Sequence, residues 1–259
     1  LSIAKRWDTG FNANFSYTHS DVEDRISATG TSTNTAYEYN PVIDSEHPEV
    51  GTSAFETKHR LTFSLSYSAE LISGYNSSFS MFWERKSARP YSWILGGNDE
   101  DGLSGNLDLT TAALAYIPTG PDDPAVDFVN GISYEEIIAD LNTIGAPTSG
   151  GYLGKNAFRG PWTTTMDIRF EQELPGFLEG HKGIFYIDIN NALALFDKDS
   201  ARVYKNPFGT TSEGIFGYSI NDAGQYVYES EGVEQGDSPV EFQDRQSTWS
   251  AKIGIKYKF

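Results

Sequence analysis

Apolar and polar residues alternate with period two along much of the chain, the pattern of strands whose two faces meet unlike surroundings. The last segment carries it furthest. From Ser247 to Phe259 one face holds Trp249, Ala251, Ile253, Ile255, Tyr257 and Phe259, and the other Thr248, Ser250, Lys252, Gly254, Lys256 and Lys258. These 13 residues alternate without a miss. A strand in a soluble sandwich runs for roughly five or six residues, whereas a tilted strand needs about 9–11 to cross hydrocarbon, with aromatic girdles at both interfaces.

The same period recurs upstream. Phe11, Ala13, Phe15 and Tyr17 alternate with Asn12, Asn14, Ser16 and Thr18, and Leu61, Phe63, Leu65 and Tyr67 with Thr62, Ser64, Ser66 and Ser68. Tyr75, Ser77, Phe79, Met81 and Trp83 form another row, broken on its polar side by Phe82. Trp162, Met166, Ile168 and Phe170 stand opposite Thr163, Thr165, Asp167, Arg169 and Glu171. In Gly183–Asn190, Asp188 and Asn190 mark a polar face against Phe185, Ile187 and Ile189. With Leu1–Trp7, the pattern predicts seven strands.

Their connections alternate in length. Asp8-Thr9-Gly10, Glu70 to Gly74, and Leu174 to His181 with its Pro175-Gly176 turn are short; the stretches 23–57, 87–160 and 197–246 are long. Compact soluble domains rarely carry several such loops, while outer-membrane barrels place short turns on the periplasmic side and long loops outside. The parity of seven strands puts all the short turns at one end. Fold class is therefore read as all-β, an antiparallel transmembrane β-barrel segment belonging to a larger barrel.

Charge sharpens this reading. The chain has a formal net charge of -17, and the three long connections hold 27 of its 36 acidic residues but 8 of its 19 basic ones. Carboxylates are thus kept away from the segments predicted to face lipid. A surplus of this sign excludes a nucleic-acid partner, since phosphate binding needs a basic face. No run of 18 apolar residues exists, which excludes a helical span. Cysteine is absent, so no disulfide or thiolate chemistry is available. Leu1–Trp7 lacks the layout of a signal peptide and no initiator Met is present, so a piece of a longer protein is expected.

Within the second long connection, Ser133-Tyr134-Glu135-Glu136 is a capping box, Ile132 and Ile137 a hydrophobic staple and Gly145 a stop, predicting a helix over 134–143. In the third, Ile215–Ile220 and Gln225–Tyr228 flank Asn221-Asp222-Ala223-Gly224 as a hairpin.

Catalytic constellations are poor. His19, His47, His59 and His181 lack metal-ligand spacing, and no Gly-x-Ser-x-Gly elbow occurs, so neither an enzyme nor a cofactor is expected. Gly97-Asn98-Asp99-Glu100-Asp101-Gly102 has part of a calcium-loop pattern, but Gly97 stands at the first ligand position and Asp108 at the distal glutamate position, favouring a solvated acidic turn. Arg89, Tyr91 and Trp93, at the outer end of a strand, are the candidate ligand contacts: an Arg and two rings suit a sugar or a peptide carboxylate. An interfacial girdle, with Arg89 on lipopolysaccharide phosphate, or packing within the loop, is the plainer reading.

Lys252, Gly254, Tyr257 and Phe259 have the spacing polar-x-Gly-x-x-aromatic-x-aromatic. This resembles the signal by which barrel proteins are taken up by the outer-membrane assembly machinery. Further stretches, Glu84-Arg85-Lys86-Ser87-Ala88-Arg89-Pro90-Tyr91-Ser92, Phe158-Arg159-Gly160-Pro161-Trp162 leading to Asp167-Ile168-Arg169, and Phe185-Tyr186-Ile187-Asp188-Ile189-Asn190-Asn191, complete a resemblance to the C-terminal barrel region of TonB-dependent receptors of the Oar-like group. The resemblance covers most of the chain outside the long connections. It implies 22 strands around an N-terminal plug absent from this sequence, and import of a nutrient energised through TonB. The implied partners are outer-membrane lipid and lipopolysaccharide, the assembly machinery, the TonB complex and an imported ligand. Substrate identity is not written in these residues. A non-transporting barrel with a structural or adhesive role is the alternative.

Overall fold

The structure is a computed structural model describing residues 1–27, 40–44, 46–95, 113–205, 212–229 and 241–259. Seven strands form one antiparallel sheet in strict chain order: β1 (Ser2–Arg6), β2 (Phe11–His19), β3 (His59–Ile72), β4 (Tyr75–Lys86), β5 (Thr163–Pro175), β6 (Lys182–Asn190) and β7 (Ser250–Lys258). All seven predicted strands are present, joined by the three predicted short turns at one end and the three long connections at the other. Among the described residues no closed barrel is formed; β1 and β7 are the two edges of the sheet.

Register keeps the faces pure across the whole sheet. Ala4 stands opposite Asn14, Asn14 opposite Ser64, Ser64 opposite Phe82, and Phe82 opposite Asp167; Arg169 faces Asp188, which faces Lys252. On the other face run Phe15, Phe63, Trp83 and Met166, then Phe170, Ile187 and Ile253. Because side chains alternate strictly, a slip of one residue anywhere would invert a whole strand. The one irregularity is a register shift between Ala69 and Ile72, at a short turn.

Boundaries differ modestly from expectation. β3, β4 and β5 run further than the alternation indicated. Ser247 to Trp249 do not join the last strand, because a single helical turn, Asp244–Ser247, leads into it.

The hydrophobic core is not under the sheet. Trp93, Leu95, Ile117, Ile137, Leu141, Ile215, Phe216 and Tyr228 form it with their neighbours, and every member belongs to the second or third long connection. The apolar face of the sheet stays open: Phe170 is 36% exposed, Ile253 67% and Ile255 76%. No second sheet lies against these residues among those described.

The long connections are woven together by short strand pairings. Pro90–Ile94 pairs with Phe158–Arg159 and, in parallel, with Ser212–Gly214. Tyr116–Ile117 pairs with Gly151–Tyr152, and Val42 bridges to Ala113. The expected hairpin forms between Gly217–Ile220 and Tyr226–Glu229; Ile215 and Phe216, predicted within it, are buried in the core instead. The expected helix is α1 (Tyr134–Ile144), one residue longer than predicted. Ser133 Oγ accepts the Glu136 amide and Glu136 accepts the Ser133 amide, closing the capping box, while Gly145 ends the helix in the left-handed conformation at φ 70°. Ile137 and Leu141 carry its buried face into the core. The acidic stretch 97–102, with Asp108, lies outside the described residues.

Replacing the cap, Ser133→Ala, is expected to cost about 1 kcal/mol. Hydrogen exchange should quicken over α1 and stay unchanged in β3 to β6; uniform quickening would mean that the connections and the sheet are one cooperative unit.

Candidate functional site

Two regions concentrate polar chemistry. The first is a trough of about 810 Å³ on the polar face, lined by Arg6, Asn12, Asn14, Asp167, Arg169 and Lys252 among others. Strands β1 to β5 each contribute three consecutive residues, so Ala13, Leu65, Met81 and Ile168 join the polar groups in its lining. Much of its charge is internally paired. Arg169 donates to Asp188 at 2.8 Å and to Glu171 at 2.5 Å, and its guanidinium lies 4.9 Å from the Tyr186 ring centre. Glu84 is held by Arg60 and Lys86, and Glu173 by Lys182. Asp167 accepts the Asn191 backbone amide at 2.8 Å, and the Asn191 side chain donates to the carbonyls of Ala201 and Gln246. The third connection is thereby tied at both ends to the polar face. Arg6 and Lys252 have no carboxylate partner among the described residues. The trough thus sets a few polar groups among a mainly apolar lining.

The second region is the junction of the first and second connections. Lys155, almost wholly buried, donates to the Asp24 carboxylate at 3.0 Å and to the Arg25 carbonyl at 2.7 Å. Burial raises the Asp24 carboxyl, but hydrogen bonds from Ser53, Lys155 and Ser27 outweigh it and hold the group below its ordinary value. Glu56, also buried, pairs with Arg159 and accepts the Val22 amide at 2.7 Å. Asn156 adopts φ 51°; its amide donates to Ser92 Oγ and its side chain to the Thr52 carbonyl. Deeper in, Asp123 accepts from Tyr116, Thr119 and Ala125. Burial, then the bond to Asp123 and its charge, push the Tyr116 phenol up to about 12. These groups organise loops; their partners are used up within the chain.

The predicted ligand contacts separate. Arg89 is exposed, 5.9 Å from the Phe55 ring centre. Tyr91 is half-buried against Trp93 and Phe158, and Trp93, at 3% exposure, is a member of the core and offers no surface to a ligand. Packing within the loop accounts for both rings.

In the closing motif, Gly254 has a specific structural reason. The Tyr186 ring lies across it, and a Cβ there would sit 2.3 Å from that ring. Tyr257 stacks on Phe177; its hydroxyl accepts the Phe177 amide at 3.1 Å and meets His181 Nδ1 at 3.0 Å, clasping the last short turn. Lys252 and Phe259 are exposed.

Sequence reasoning missed one constellation. His19 and His59, 40 positions apart, are direct cross-strand partners with ring centres 5.1 Å apart; the Tyr17 hydroxyl meets His59 Nδ1 at 2.9 Å, and Trp162 stacks with His59. Only the β2–β3 register reveals this. No cluster of three or more His, Cys, Asp or Glu suited to a metal ion occurs among the described residues. No protein-family model, curated protein or solved structure matches the chain.

Two outcomes are expected. Lys155→Ala strands the Asp24 carboxylate and should destabilise the junction by about 3 kcal/mol. Because the folded Asp24 is depressed, its contribution is complete above the ordinary aspartate value near 3.8 and is lost as pH falls through the lower folded value. Proteolysis of the first connection should therefore rise on acidification in the wild type, and far less in Asp24→Asn. Gly254→Val forces the Tyr186 ring aside and should lower unfolding stability by about 1–3 kcal/mol; an unchanged unfolding midpoint would count against the ring-over-glycine packing.

Proposed function

We propose that this chain is a membrane-spanning segment of an outer-membrane β-barrel, the C-terminal part of a TonB-dependent receptor that imports a nutrient with energy from the inner membrane. The observation that carries the reading is the uncovered apolar face of the seven-stranded sheet. Each large apolar side chain left in water forgoes about 1.5–3 kcal/mol of burial. Phe11, Phe170, Ile253 and Ile255 all stand at least 36% exposed on that face, a loss of several kcal/mol and a large share of the whole stability of a domain, about 5–15 kcal/mol. Lipid hydrocarbon removes the penalty. On this reading the polar trough lines the lumen, the long connections project outward and the chain ends on the periplasmic side.

Aromatic groups at both ends support the same orientation. Trp83, Trp162 and Trp249 with Tyr17 lie toward the long connections, and Trp7, Phe11, Tyr67, Tyr75 and Tyr257 toward the short turns. These are the positions of interfacial girdles. The receptor assignment rests on the resemblance of Glu84–Ser92, Phe158–Trp162, Phe185–Asn191 and the closing strand, which occupy the neighbouring strands β4 to β7 or run into them. The remaining strands and the plug would come from elsewhere in the protein.

Ile253→Arg, halfway along the apolar row of β7, is expected to cost about 2–4 kcal/mol at the bilayer midplane and sharply reduce membrane-inserted protein, whereas Asn14→Arg on the polar face should not. Recovery of the wild type in detergent-free buffer would overturn the membrane reading. Membrane insertion with no TonB-dependent uptake would instead favour a barrel with a structural or adhesive role.

A further inference from the structure

We infer that the long-connection end of the apolar face holds the phosphate of a lipid headgroup, contacted by Arg85, His59 and His19. The inference depends on the membrane reading given above.

Of the strand carboxylates, Glu84, Asp167, Glu171, Glu173 and Asp188 lie on the polar rows, and Glu70 sits in the register shift beside a short turn; none has a partner in an apolar row. Cations do occur in the apolar rows, but only at their ends: Lys5 near the short turns and Arg85 near the long connections. Arg85 is exposed, has no ion-pair or hydrogen-bond partner among the described residues, and lies 5.5 Å from the Trp162 ring centre. Its strand neighbours offer it no counter-charge: Leu61 stands opposite on β3 and Thr164 on β5. A guanidinium at a hydrocarbon boundary is stabilised by an anion, and none of the described residues supplies one.

The surroundings are built to receive one. Trp162 lies 5.5 Å from the Arg85 guanidinium and stacks with His59, the indole and imidazole planes 10° apart with centres at 5.8 Å. Tyr17 hydroxyl meets His59 Nδ1 at 2.9 Å, fixing that ring and leaving Nε2 with no partner among the described residues. His19 stands beside it, also exposed and unpartnered. His59 is anchored further through its backbone, which exchanges hydrogen bonds with Ser87. One guanidinium and two imidazoles, on three neighbouring strands with His19 level with His59 and Arg85 level with Leu61 two residues along, match a phosphate monoester better than a zwitterionic headgroup, whose ammonium would meet a guanidinium and no carboxylate among the described residues. The depth is that of a headgroup: Arg85 follows Trp83 in its row, and His59 follows Leu61 in the next, at the end of the apolar rows.

The test uses the full protein in detergent micelles, with bisphosphorylated lipid A, the same glycolipid stripped of its phosphates, and inorganic phosphate as probes, and counts bound lipid by native mass spectrometry. The wild type should retain the phosphorylated glycolipid about fivefold over the stripped form. Arg85→Gln and the His19→Ala/His59→Ala double variant should bring the ratio close to one, while Lys5→Gln leaves it unchanged. Heat-sensitive gel mobility establishes that each variant is folded, and Arg85→Lys serves as a milder change expected to keep part of the preference. Equal retention of the two glycolipids by the wild type, an unaltered ratio in Arg85→Gln, or full displacement by millimolar inorganic phosphate would each overturn the inference. Failure of the membrane reading looks different, because the wild type would then need no detergent at all.

Discussion

The sheet satisfies its backbone hydrogen bonds strand by strand within the chain, yet it leaves its apolar side chains without a partner. That mismatch governs the rest of the structure. In water, a sheet of this kind would fold over a second layer, and its buried face would become the core. Here the core forms elsewhere, among Trp93, Ile117, Ile137, Leu141, Phe216 and Tyr228 of the long connections, and contains no residue of the seven strands. The molecule therefore has two kinds of apolar surface under different rules. One is collected and buried by the chain itself; the other is displayed in rows.

The long connections accordingly follow the habits of a soluble domain. They have a capped helix, paired short strands, a hairpin and buried ion pairs whose members are fully engaged, Lys155 with Asp24 and Glu56 with Arg159. Acidic residues that would be costly on the sheet's apolar face are placed here, several of them with carboxyls held low by donors from nearby turns, as at Asp127 and Asp197. The strands, by contrast, sort charge to one face and pair much of it across neighbouring strands. Arg169, joining Glu171 and Asp188, spans the step from β5 to β6.

Much of this was legible in the chain because its dominant signals are local. Period-two alternation names all seven strands, the capping box names α1 and its last-turn glycine, and connection length names the two ends of the sheet. What could not be read depends on contacts between distant segments. The pairing of His19 with His59 follows from register, which depends on hydrogen bonding across a connection of 39 residues. Trp93 carries the composition of a binding residue, but the second and third connections close over it, and no sequence pattern marks Ser212–Gly214 as its parallel neighbour. Alternation starts the last strand too early because Ser247 and Thr248 fit the pattern while their backbone turns: Ser247 Oγ donates to the Gln243 carbonyl and Thr248 Oγ1 to the Asp244 carbonyl. Alternation reports side-chain chemistry, and it is blind to local side-chain bonds that bend the chain.

The contact between Tyr186 and Gly254 also bears on how the last strand finds its place. A slip of one residue is already forbidden, since it would turn the apolar row inward. A slip of two preserves both faces and so escapes that check. It would, however, bring Lys252 or Lys256 opposite Tyr186, where a side chain would occupy the space the ring now fills. The missing side chain at a single position thus acts as a key cut for one lock, admitting the closing strand in one alignment and penalising the nearest look-alikes.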